Sequence, residues 1–71
     1  MTNDEQFLID SITTELITLV MEDYHCDMGT AMDKVYDSET YAKLIDVRTG
    51  LYYQSPLYVY DFLKTELLSV K

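Results

Sequence analysis

Apolar residues recur at helical spacing along most of the chain. At about 100° per residue, Leu8, Ile9, Ile12, Leu16, Leu19 and Val20 fall on one face, a stripe broad enough to meet a core. Thr2-Asn3-Asp4-Glu5 just before it has the T-x-x-E form of a capping box and sets acids at the positive end of the helix dipole, so a first helix is predicted to start near residue 3. Asp23 would fall in the middle of the stripe. An unpaired buried carboxylate is costly, which predicts that the helix ends near residues 22–25. His25-Cys26-Asp27 then becomes a connection.

Two short helices follow. Asp27 or Thr30 can cap one over about 28–36, in which Ala31, Met32 and Val35 share a face and Gly29 weakens the first turn. Asp37-Ser38-Glu39-Thr40 offers a further cap, and Tyr41, Leu44 and Ile45 at i, i+3, i+4 predict a third helix over about 38–46. Asp46 to Gly50 is turn chemistry: Asp accepts from the backbone two residues on, and Gly takes a positive φ without steric cost. Leu51 to Gln54 has strand-like composition but no evident partner strand, so it is read as a loop in which the adjacent Tyr52 and Tyr53 point to opposite sides. Ser55-Pro56 is the strongest local signal, a capping side chain followed by a residue preset for the first helical position, and it predicts a last helix over about 56–69. The expectation is a single all-α domain over residues 1–71, a small bundle of about four helices with two longer ones bracketing two short.

The stripes also leave apolar residues over. On the last helix Val59, Tyr60, Leu63, Leu67 and Val70 form the core arc, whereas Tyr58 and Phe62 share a different arc with Thr65 and Ser69. These two rings either pack beneath the short helices or form an exposed patch of the kind that marks protein interfaces. Helix one raises the same question, because Phe7, Ile17, Met21 and Tyr24 lie away from its main stripe. The candidate interaction surface is therefore Tyr58 and Phe62 with one of Tyr52 or Tyr53, and Ile17 and Met21 come next.

Charge narrows the partner. The chain has 71 residues with thirteen acids and five bases, a formal charge of −8 that repels phosphate backbones. Residues 1–36 carry eight acids and one base, and residues 37–71 five acids and four bases, so the field is polarised along the chain. Nucleic acid is disfavoured, and the acidic face is expected to meet solvent or a basic protein patch. The start lacks the basic region of a signal peptide, and no apolar run approaches the roughly 18 residues of a membrane span, which points to a cytoplasmic chain off the membrane. A domain of this size buries only about 60% of its unfolded surface, so a partner or a second copy, as in a homodimer, would add stability.

Catalytic and metal chemistry find little material. His25 and Cys26 are the only histidine and cysteine, and they are neighbours beside Glu22, Asp23 and Asp27. Structural zinc uses separated ligand pairs, and catalytic Cys-His pairs are assembled across a fold with an orienting third group. A small enzyme or metal-binding protein built on His25 and Cys26 is thus the alternative to an interaction module. The isolated Gly29 and Gly50 form no phosphate loop. No enzymatic activity and no cofactor are expected.

Residues 36–68, YDSETYAKLIDVRTGLYYQSPLYVYDFLKTELL, contain a Y-x-S-x-T-Y-x-x-L stretch (Tyr36, Ser38, Thr40, Tyr41, Leu44) and a T-G-L-Y-x-x-S-P-x-Y-x-Y stretch (Thr49, Gly50, Leu51, Tyr52, Ser55, Pro56, Tyr58, Tyr60), preceded by Ala31. In these features the chain resembles a family of short, uncharacterised bacterial helical proteins, a domain of unknown function. The resemblance covers about half the chain and implies a bacterial helical domain without a settled activity. Proteins of this type look like components of compact operons, which implies binding to a neighbour-encoded protein, as antitoxins and adaptors do. Together these readings predict a small acidic interaction module that self-associates or binds a neighbour-encoded protein.

Overall fold

The computed structural model describes residues 3–69. Among them run four α-helices, α1 (Asn3–Tyr24), α2 (Met28–Tyr36), α3 (Glu39–Ile45) and α4 (Pro56–Ser69), and no strand. Two 3₁₀ turns, Val47–Thr49 and Leu51–Tyr53, join α3 to α4. The chain is a small all-α bundle with two longer and two short helices. Thr2 of the expected capping box and Val70 of the expected core arc lie outside the described residues.

Local chemistry places the helix ends. α1 stops where His25 enters the left-handed region at φ 52°, a conformation in which no further helical turn can be added. Asp27 caps α2 by accepting the Thr30 N–H at 2.9 Å, and Ser38 caps α3 by accepting the Tyr41 N–H at 3.0 Å. Asp46 accepts the Arg48 N–H at 3.1 Å and also holds its guanidinium through two side-chain bonds of 2.9 and 3.0 Å. Gly50 takes φ 75°. Ser55 accepts the Tyr58 N–H at 3.2 Å, with Pro56 as the first helical residue of α4.

The segment 51–54 differs from the expected loop. Gly50 turns the chain so tightly that its own carbonyl accepts the Tyr53 N–H (3.1 Å) and the Leu51 carbonyl accepts the Gln54 N–H (3.0 Å), and the backbone satisfies itself without a partner strand. Tyr52 turns inward and Tyr53 outward, as expected of the pair, but in this 3₁₀ turn their rings remain stacked, with centroids 4.4 Å apart.

The core is one cluster drawn from every α-helix and the second turn: Ile9, Ile12, Leu16 and Val20 of α1, Ala31 and Val35 of α2, Leu44 of α3, Tyr52, and Val59, Tyr60 and Leu63 of α4. Leu8, Leu19 and Leu67 pack half-buried against it. α3 departs from its expected face, because Ile45 is exposed and Thr40, one turn before Leu44, takes the inward position. The cause is a polar contact from α4. The Glu66 carboxylate accepts the backbone N–H groups of Glu39 (2.8 Å) and Thr40 (3.0 Å) and the Thr40 hydroxyl (2.8 Å), so Thr40 can be buried with its hydroxyl satisfied.

Two phenols tie the same core to α1. The Tyr60 hydroxyl donates to Asp23 Oδ2 at 2.5 Å, and the Tyr52 hydroxyl donates to Glu5 Oε2 at 3.3 Å. Asp23 therefore stays solvent-accessible on the edge of the stripe with its charge engaged, and the helix runs one residue past it. Burial, then the bond to Asp23, push the Tyr60 phenol above the usual tyrosine range.

Thermal melts should resolve three local features. Ser55→Ala is expected to cost about 1 kcal/mol through the lost cap. Gly50→Val should cost more, about 1–3 kcal/mol; the space around the added side chain is open, and the cost is backbone strain at positive φ. His25→Gly should stabilise, by up to about 1 kcal/mol, by relieving the left-handed position.

Glu66 makes stability depend on pH in a defined direction. Its partial burial favours the protonated form, but the bonds from Glu39 and Thr40 outweigh this and hold its carboxyl below the ordinary 4.5. The stabilisation is thus complete above that ordinary value and is lost as pH falls through the lowered folded value. Melts of the parent and Glu66→Gln should differ most near neutrality, with the gap closing in acid. A gap independent of pH would assign the effect to packing alone.

Candidate interaction surface

Ser55 and Pro56 set the rotational phase of α4, and that phase decides which side chains face out. With Val59, Tyr60 and Leu63 directed into the core, Tyr58 and Phe62 are left 49% and 48% exposed. Their rings meet edge to face, 5.2 Å between centroids at 89°, so each fixes the other's orientation while both remain accessible. The short helices do not cover them.

On one side Phe62 lines a groove of about 270 Å³ between α3, the turns and α4, together with Glu39, Thr40, Lys43, Thr49 and Leu51. Its floor is held rigidly. The Thr49 hydroxyl lies 2.6 Å from the Lys43 carbonyl and 2.9 Å from that of Asp46, and Thr49 Oγ1 accepts the Leu51 N–H at 3.3 Å. The Arg48 side chain and backbone bonded to Asp46 keep that carboxyl below its ordinary range. Glu39 and Lys43 put one charge of each sign at the groove. The groove presents an apolar ring and a leucine beside these two charges.

The remaining sequence candidates separate. Tyr53 is 74% exposed, but Tyr52 is buried with its hydroxyl on Glu5, so Tyr52 leaves the surface and becomes core. Ile17 and Met21 pack half-buried against the core, because α1 is flanked on two sides and needs a wider apolar face than one stripe. They are weak surface candidates. From the same arc Phe7 is exposed beside Asp10, Ser11, Thr14 and Glu15, and Tyr24 carries the Lys34 ammonium 5.3 Å above its ring.

On α4 two exposed residues escaped the sequence reading. Leu57 and Leu68, on α4, are 67% and 73% exposed. Their separation of eleven residues, about three helical turns, puts them on one stripe and was the available signal. Most of the exposed large apolar side chains among the described residues, from Ile45 and Val47 to Leu68, belong to the half of the chain that is almost neutral.

His25 and Cys26 lie in the connection between α1 and α2. His25 is exposed in its turn, and the Cys26 thiol is half-buried, 4.0 Å from the Val20 carbonyl. Among the described residues no group of three His, Cys, Asp or Glu side chains is placed to hold a metal, and no helix is long and apolar enough to cross a membrane.

No protein-family model, no curated protein and no solved structure matches the chain.

Proposed function

We propose that this protein is a small acidic interaction module that docks another protein through Tyr58 and Phe62, with Tyr53 as a further contact. The observation that carries the reading is the edge-to-face pair, held half-exposed on a helix whose opposite side is core. Tyrosine and phenylalanine offer large rigid contact area at low entropic cost, and interfaces concentrate their binding energy in such rings. The groove beside Phe62 gives a partner side chain somewhere to insert. A charge of −8 steers a partner that carries a basic patch. In this reading the partner is the product of an adjacent gene, as the resemblance to short bacterial proteins implies, and the complex forms in the cytoplasm, in keeping with a start that lacks the basic region of a signal peptide.

The test compares three tagged chains as bait. The parent should retain a stoichiometric partner, and Tyr58→Ser/Phe62→Ser should lose it while melting within a degree or two of the parent. Leu63→Ala, a truncation of a fully buried side chain, should instead cost about 2–5 kcal/mol. Retention of the partner by the double variant, or a melt as low as that of Leu63→Ala, would defeat the proposal.

A further inference from the structure

The outer stripe of α4 is self-complementary. Leu57, Asp61, Lys64 and Leu68 are spaced by four, three and four residues, the heptad spacing of a helix–helix seam. All four are exposed, and the side chains of Asp61 and Lys64 are unpaired among the described residues. Read backwards, the stripe has the same spacing and the same terminal leucines, with acid and base exchanged.

We infer that this stripe is the contact for a second copy of the chain, with the two α4 helices antiparallel about a two-fold axis between Asp61 and Lys64. In that arrangement Leu57 of each copy meets Leu68 of the other, and Asp61 of each meets Lys64 of the other. This is the reciprocity an isologous interface requires. A parallel alignment would set Asp61 against Asp61 and Lys64 against Lys64, so the charges choose the orientation. The charge of the whole chain selects this face too. Residues 1–36 carry −7 and residues 37–71 only −1, so pairing through α4 brings the nearly neutral halves together.

The contact is narrow. A standard interface buries about 800 Å² per partner, and two leucines with their flanks on a 14-residue helix fall short of that. The dimer is therefore weak and concentration-dependent. It goes beyond the docking of a different protein, since its stripe is distinct from the Tyr58 and Phe62 pair, and it leaves those rings free.

Sedimentation of the full chain at physiological ionic strength, up to millimolar concentration, tests the pairing. The parent should pass reversibly from monomer to dimer. Asp61→Lys alone and Lys64→Asp alone each turn two attractions into two repulsions and should each weaken dimerisation roughly tenfold. The double exchange Asp61→Lys/Lys64→Asp should restore it, and an equimolar mixture of the two single variants should form a mixed dimer more readily than either forms its own. Leu57→Ser/Leu68→Ser should be monomeric with an unchanged melt, whereas Tyr58→Ser/Phe62→Ser should dimerise like the parent. A parent that stays monomeric would overturn the inference and leave the stripe to a different protein. A dimer indifferent to both charge variants, or one abolished by Tyr58→Ser/Phe62→Ser, would also overturn it.

Discussion

The rest of the bundle depends on one carboxylate. α3 is a seven-residue helix, too short to persist alone in water, and its first turn has N–H groups that no helical carbonyl can accept. Glu66 accepts those of Glu39 and Thr40, the Ser38 hydroxyl accepts that of Tyr41, and from Ala42 onward the helix bonds to itself. The link closes a stretch of 26 or 27 residues, from α3 through both turns to the last part of α4. With α3 held, Leu44 reaches the core and Thr49 can brace the Lys43 carbonyl, and the groove beside Phe62 has its wall.

The two phenols solve a related problem at the other edge. A chain this short cannot enclose a wide core, so large side chains must contribute apolar area and still satisfy their polar ends. Tyr60 and Tyr52 do both, each with its ring among the buried residues and its hydroxyl on an α1 carboxylate at the rim. Tyr60 and Asp23 are 37 residues apart and Tyr52 and Glu5 are 47, so these bonds register α1 against the second half of the chain.

What remains on the surface is divided. Acids crowd the first half, and exposed aromatic and aliphatic side chains the second. α4 has three arcs around one cylinder, one structural and two the subject of proposals. Val59, Tyr60 and Leu63 are core, Tyr58 and Phe62 the proposed docking pair for another protein, and Leu57 to Leu68 the proposed self-pairing stripe. The two proposed contacts are centred on different arcs of the helix.

The amino-acid sequence determined what depends on neighbours in the chain. Asp27, Ser38, Asp46, Gly50 and Ser55–Pro56 each act on backbone within a few residues, so α2, α3, the turn after α3 and the start of α4 could be read from them directly. The periodic stripes likewise named Ile9, Leu16, Val59 and Leu63 as core. Tertiary structure alone decided what depends on residues far apart. Nothing local marks Glu66 as the cap of another helix, or Asp23 as the partner of a phenol, since both are ordinary acids until the fold brings their partners within hydrogen-bond distance. The choice between Tyr52 and Tyr53 belongs to the same class, because a 3₁₀ turn and not an extended segment set their directions. So does the exposure of Tyr58 and Phe62. Helical periodicity assigns residues to a face, but whether a face is covered is a property of the neighbouring elements, and only the packed chain contains them.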